Sequence, residues 1–156
     1  MLSENNSKIA IMIPARSGSK RVKKKNLRLL SGKPLIAYVM ETASKTQFPV
    51  YVNSDCEVIL SLAEEYGCIP YKRDKSLCQD SSTNDEFTYD FINNVECDYV
   101  LQVLPTSPFV TVEELNQFLK DMVSYDTLVS VKDAQIGCVY KNKPINFKKD
   151  LKNPPS

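Results

Sequence analysis

Histidine is absent from all 156 residues. Its absence excludes Ser-His-Asp, Cys-His and HExxH mechanisms, and with them the usual side chain that titrates near neutral pH. Chemistry is left to carboxylates, lysines, arginines, backbone amides or a bound metal. Glycine is scarce, at four residues. None is arranged as GxGxxG, and Gly32-Lys33 runs into Pro34 instead of completing a GxxxxGK[ST] phosphate loop. The five cysteines (Cys56, Cys68, Cys78, Cys97 and Cys138) are odd in number and include no CxxC pair. That pattern argues for reduced single thiols and against a disulfide framework or a zinc site. The leading MLSENNSK has no basic n-region, and the apolar run after it is too short for a signal segment or a membrane span. The expectation is a cytoplasmic protein with no membrane partner.

What is present supports one globular domain over residues 1–156. The composition is 42% hydrophobic and 25% charged, and a chain of this length buries enough surface for a core without staples. The formal net charge of +1 conceals a strong asymmetry. Between Arg16 and Lys33 lie eight of the 20 basic residues and none of the 19 acidic ones. A cationic segment on an otherwise acidic body focuses potential toward anionic ligands.

Along the chain, residues 8–14 (KIAIMIP) read as a buried strand bounded by a polar tail and a Gly/Ser loop. A helix is expected from Pro34 to about Thr46, with Leu35, Tyr38, Val39 and Thr42 at helical spacing. Residues 49–53 read as a second strand. Ser54 or Asp55 is placed to cap the next helix, whose apolar face is Val58, Ile59, Leu62, Ala63 and Tyr66, and Gly67 ends it. Residues 68–71 form a third strand, 73–82 are irregular, and a helix follows from about Thr83 to Val95. Residues 98–104 are strongly strand-like, 112–125 are an amphipathic helix, and 126–131 are the last convincing strand. Residues 137–141 suit an edge strand, and 143–156 carry no signal. Strands alternating with helices of this length predict a parallel sheet sandwiched between helices. In such folds ligands bind beyond the carboxyl ends of the strands, where the loops at 15–26 and 105–108 fall.

In the first of these loops, Gly18 lets backbone amides approach a ligand. Ser17 and Ser19 offer hydroxyls, and Arg16 and Lys20 offer charge, which together can form an anion nest. A solvated basic loop and a nucleic-acid patch are the alternatives that composition leaves open. The latter lacks interleaved aromatic residues for stacking, so no nucleic-acid partner is expected.

The stretch Ile13-Pro-Ala-Arg-Ser-Gly-Ser-Lys20, followed by Lys25-Asn26, resembles the N-terminal signature of the CMP-sialic acid synthetases (acylneuraminate cytidylyltransferases). Further blocks agree in order: Val52-Asn-Ser-Asp55, Arg73 to Asp80, and Pro105-Thr-Ser-Pro108. The resemblance runs from about Lys8 to about Val131. It implies a Rossmann-like three-layer α/β/α sandwich of the nucleotide-diphospho-sugar transferase kind. It also implies attack by the anomeric hydroxyl of a keto-sugar acid on the α-phosphate of CTP, with Mg²⁺ as cofactor. Such transfer depends on positioning and charge neutralisation, which suits a chain without histidine. By this resemblance Arg16, Ser19, Lys20 and Lys25 hold the triphosphate, Asn26 binds ribose or phosphate, and Arg73 reads cytosine. Ser82 and Asn84 line the base pocket, and Arg16, Lys25 and Gln102 are the catalytic candidates. For Arg73 the residues alone leave open a plain ion pair with Asp74 or Asp80.

Two departures from the family pattern stand out. Leu104 occupies the place of the family's glutamine before Pro-Thr-Ser-Pro, and Gln102, two residues earlier on the same strand face, is the candidate substitute. No Asp-x-Asp occurs in the chain, whereas the family carries its Mg²⁺-holding pair, its sugar-acid contacts and much of its dimer interface in a longer C-terminal region. The chain is therefore expected to be a nucleotide-binding half with weak turnover alone, or a non-catalytic nucleotide-binding domain acting through association. Asp55, Asp80 and Asp98 are the loop-placed carboxylates. Relatives imply a homodimer; the residues leave the oligomeric state open.

Overall fold

A computed structural model describes residues 7–18, 22–131, 139–141 and 143–144. The chain divides into two compact units, Met1–Asp126 and Thr127–Ser156. In the first, β1 (Ile9–Pro14) is the central strand. Its residues Ala10, Ile11, Met12 and Ile13 are fully buried, as a strand covered on both faces requires. The basic loop leads through a 3-10 turn (Lys25–Leu27) into a small antiparallel hairpin, β2 (Leu29–Leu30) with β3 (Lys33–Pro34). The hairpin turn has positive φ at both centres, 49° at Ser31 and 83° at Gly32, the backbone of a type I′ turn in which glycine carries no Cβ penalty. Strands of two residues are too short to show a period-2 pattern, so this hairpin has no signature in the sequence.

Helix α1 (Leu35–Ala43) starts after Pro34, which acts as its N-cap, and ends earlier than 46. Strand β4 (Val50–Ser54), helix α2 (Glu57–Glu65) and strand β5 (Ile69–Lys72) follow. Neither Ser54 nor Asp55 caps α2. Its N-cap is Cys56, with no side-chain cap bond, because both polar side chains are engaged toward the loop after β1, as set out below. Gly67, at φ 71°, closes the helix as expected. Helix α3 (Asn84–Asn94) opens on a reciprocal capping box between Thr83 and Glu86, and α4 (Val112–Met122) on another between Thr111 and Glu114. Each box satisfies two orphan backbone donors. Strand β6 (Tyr99–Gln102) is shorter than the expected 98–104; Val103 and Leu104 already belong to the loop.

All four main strands are parallel, in the order β5-β4-β1-β6. The chain therefore moves outward from β1 to β4 to β5, then crosses back to the far side of β1. That reversal is a topological switch point, the favoured ligand position in open α/β sheets. Successive residues of β1 face opposite sides. Ala10 and Met12 pack against Phe91 of α3, whose ring meets Tyr51 and Tyr71 edge-on at 5.3 and 5.1 Å. Helices α1 and α2 bury Ile36, Val39, Met40, Ile59 and Ala63 against the sheet. The result is the mainly parallel, Rossmann-like α/β/α arrangement.

Residues 127–131 form no strand, and Val129 and Val131 are exposed. The β-branched composition there supplies propensity, but a strand also needs a ladder partner, and none pairs with it among the described residues. In the second unit, β7 (Val139–Tyr140) pairs antiparallel with β8 (Lys143–Pro144). The expected 137–141 strand thus holds in its described part over 139–140, and 143–144 pairs where the sequence carries no signal. Among the described residues no helix is long and apolar enough to cross a membrane.

Candidate active site

The carboxyl ends of β1, β4 and β5 are stitched together by hydrogen bonds, and Arg16 and Arg73 sit beside that seam. Ala15 donates its N–H to the Asn53 carbonyl at 2.9 Å, and Arg73 donates its own to the Ser54 carbonyl at 2.9 Å. The buried Ser54 hydroxyl donates to the Ala15 carbonyl at 2.5 Å and accepts from Cys56 N–H at 3.1 Å. Directly beyond, Asp55 receives two bonds from Ser17: the backbone N–H at 2.7 Å and the hydroxyl at 2.6 Å. Partial burial raises the Asp55 pKa, but the two Ser17 bonds and the nearby Arg73 charge outweigh it, so the carboxyl lies below its ordinary range. Asp55 thereby fixes the start of the loop.

Arg16 reaches across to the segment after β5. Its guanidinium donates to the Gln79 carbonyl at 3.0 Å and pairs with Asp80 at 3.1 Å, with a longer 3.4 Å approach to the Cys78 carbonyl. Asn26 is buried and points its amide at the Arg16 carbonyl across 3.5 Å. Lys25 is half-buried in the 3-10 turn beside it. A cleft of about 110 Å³ opens here, with Arg16, Ser17, Lys24 and Asn26 on its polar side. That is smaller than the roughly 300–1,000 Å³ of ordinary ligand pockets. Ser19 and Lys20 lie outside the described residues.

Arg73 is the buried cation of the site, with 4% of its surface exposed. Neither Asp74 nor Asp80 pairs with it. Asp74 caps the 3-10 turn at Lys75–Cys78 through Ser76 N–H, and Asp80 faces Arg16. Instead Arg73 Nε donates to Asn53 Oδ1 at 2.6 Å and Nη2 to the Asn53 carbonyl at 3.1 Å. The guanidinium lies over the Phe87 ring, 4.0 Å from its centroid. Burial pulls the Arg73 pKa down, partly offset by the neighbouring Cys78 and Asp55, and arginine stays charged. A desolvated guanidinium with no carboxylate in ion-pair contact among the described residues is costly unless a ligand uses it.

The remaining candidates are placed less directly. Ser82 is half-buried and its hydroxyl donates to the Ser76 carbonyl at 3.0 Å, closing the loop that carries Arg73. Asn84 is exposed in the first turn of α3. Gln102 ends β6 at the correct edge of the sheet, but its amide donates to the Thr88 hydroxyl at 2.6 Å. Leu104 is half-exposed in the following loop. Asp98 precedes β6 at the opposite edge, where it accepts from Lys8 N–H at 2.7 Å, so it is not part of this seam. No group of three or more His, Cys, Asp or Glu side chains able to hold a metal comes together among the described residues. Asp55 and Asp80 are already engaged by Ser17 and Arg16, so the described residues do not assemble a carboxylate set for Mg²⁺. Asn53 and Phe87, which contact Arg73, are not among the residues the sequence points to. The position of Asn53 at the carboxyl end of a strand was the available signal.

The sequence model of the cytidylyltransferase family matches residues 10–145. The chain belongs to that family. It is 35% identical over 138 residues to the CMP-N,N'-diacetyllegionaminic acid synthase of Legionella pneumophila, covering 83% of this chain and 60% of the relative. It is 35% identical over 142 residues to the N-acylneuraminate cytidylyltransferase of Escherichia coli, covering 88% and 33%. Among solved structures, CMP:2-keto-3-deoxy-manno-octonic acid synthetase complexed with CTP superposes with a TM-score of 0.65 at 26% identity, covering 76% of this chain and 48% of that one. A 4-diphosphocytidyl-2C-methyl-D-erythritol synthase from Anaerococcus prevotii shares the fold, with a TM-score of 0.64 at 17% identity. The chain thus spans between a third and three-fifths of the curated relatives it matches here.

Proposed function

We propose that this chain binds CTP at the carboxyl edge of its sheet and forms the nucleotide half of a cytidylyltransferase acting on a sialic-acid-like keto-sugar acid. The observation that carries the reading is Arg73, a guanidinium buried just after β5 at the carboxyl edge of the sheet, with no carboxylate in ion-pair contact among the described residues. Cytosine offers adjacent acceptors at O2 and N3, which two guanidinium N–H donors match. Uracil turns a donor, N3–H, toward the same place. Arg16 and Lys25, with Ser19 and Lys20, then hold the triphosphate, and Asn26 the ribose or phosphates. Charge-assisted bonds of this kind contribute roughly 1.5–3 kcal/mol each.

The reaction is attack by the sugar acid's anomeric hydroxyl on the α-phosphate, giving a CMP-sugar and pyrophosphate. Arg16 stabilises the charge that builds there, with Lys25 and Gln102 as supporting contacts once Gln102 leaves Thr88. Mg²⁺ and part of the sugar-acid site belong, in this reading, to residues outside those described or to a second copy in a homodimer. The names of the relatives and their shared family support the sugar-acid class. Free thiols at Cys56, Cys68, Cys78 and Cys97 suit a cytoplasmic setting. Incubation with CTP, Mg²⁺ and a panel of nonulosonic and octulosonic acids, with pyrophosphate as the readout, tests the activity. Pyrophosphate release that needs both CTP and one of the acids supports it. CTP binding without release in any combination would instead mark a non-catalytic nucleotide-binding domain.

A further inference from the structure

We infer that Asn53 and Phe87 are the positioning residues that make Arg73 a reader of cytosine, an inference that rests on the reading of Arg73 given above. A guanidinium has two hydrogen-bonding edges: a side fork made by Nε and Nη2, and an end fork made by Nη1 and Nη2. Asn53 occupies the side fork completely, through Oδ1 on Nε at 2.6 Å and its backbone carbonyl on Nη2 at 3.1 Å. The end fork, with the Cys78 side chain also beside the guanidinium, is the edge that Asn53 does not take and that a base would use. Phe87 restrains the guanidinium from one side, with Arg73 Cζ over its ring 4.0 Å from the centroid.

Asn53 is itself immobilised. It is fully buried, its strand is paired on both sides, and its Nδ2 points at the Met12 thioether at 3.3 Å. The Arg73 Nε–H, which can only donate, requires the amide oxygen on its side, and the Met12 contact takes the Nδ2 on the other. The Asn53 carbonyl also accepts from Ala15 N–H at 2.9 Å, so one residue joins the start of the phosphate-side loop to the base-side arginine. The choice of an amide has a further consequence. A carboxylate here would neutralise Arg73, whereas a neutral acceptor orients the cation and leaves its charge for the ligand.

The test measures CTP and UTP affinity by calorimetry for the wild type, Arg73→Ala, Asn53→Ala, Asn53→Asp and Phe87→Leu, with a thermal melt of each. The inference expects Asn53→Ala and Phe87→Leu to lower the CTP-over-UTP ratio by at least about tenfold, the size of one charged hydrogen bond, while UTP affinity stays within about threefold. Asn53→Asp keeps the acceptors, so the CTP-over-UTP preference stays above that of Asn53→Ala, but its carboxylate neutralises Arg73 and lowers CTP affinity. Phe87→Leu keeps apolar volume and guards against a simple folding defect in Asn53→Ala. A ratio unchanged in folded Asn53→Ala or Phe87→Leu, or an equal loss for both nucleotides, overturns the inference even if Arg73→Ala abolishes the preference. If Arg73→Ala keeps the wild-type ratio, the reading of Arg73 itself has failed.

Discussion

Arg16 and Asp80, 64 residues apart in sequence, meet at 3.1 Å between Nη2 and Oδ1. The pair ties the loop after β1 to the segment after β5. It sets the candidate triphosphate-binding arginine against an internal anion. Both side chains are partly exposed, so the pair itself contributes no more than about 1 kcal/mol. On the proposed reading, a triphosphate bound at Arg16 would compete with Asp80 for the same donors.

Asp80→Asn should therefore raise CTP affinity, by roughly two- to fivefold for an attraction of that size, with stability nearly unchanged. Calorimetric titration checks this. A weaker or equal affinity would mean that Asp80 organises the site and does not compete with the ligand.

Asp55 gives the fold a pH dependence of definite sign. Its carboxyl is held below the ordinary range by Ser17 despite partial burial. Its contribution is therefore complete above the unfolded carboxylate pKa of about 4, and it is lost as pH falls through the lower folded value. Other depressed carboxyls, such as Asp74 beside Ser76, act the same way, so the difference between variants is the informative quantity. Asp55→Asn can accept only one of the two Ser17 bonds. It should cost about 1–2 kcal/mol at neutral pH, and the cost should shrink below about pH 4. Urea unfolding of both proteins across that range measures it.

Phe91 closes the layer between α3 and the sheet, fully buried and edge-on to Tyr51 and Tyr71. Phe91→Ala should destabilise by about 3–5 kcal/mol, readable as a drop in denaturation midpoint. Tyr71 reports on the same region: burial, and then its hydroxyl's bond to Asp90 at 2.7 Å, push its pKa up to about 12. A loss below about 1 kcal/mol would mean that the site collapses around the missing ring.

Much of this architecture is legible from the residues. The run at β1 announces itself as a continuous apolar stretch because both its faces are covered, and the amphipathic faces of α2 and α4 do so because one-sided burial imposes a period of 3.6. The loops at the carboxyl edge follow from the alternation of strand and helix. What escapes the sequence is set by contacts between distant segments. The hairpin at β2 and β3 is too short to show a period. The strand-like composition of 127–131 has no ladder partner among the described residues. Ser54 and Asp55 look like helix caps, yet Ser54 reaches Ala15 and Asp55 reaches Ser17. Arg73 and Asn53 were each visible within their motif blocks, 20 residues apart, but only the parallel pairing of β4 with β5 brings them into contact.

The most direct test of the account is calorimetric titration of the protein with CTP, against UTP and ATP, in the wild type, Arg16→Ala and Arg73→Ala. The account predicts preference for CTP in the wild type. Arg16→Ala should weaken all three triphosphates together, and Arg73→Ala should remove the preference. A wild-type protein that binds the three nucleotides alike, or binds none, would contradict it.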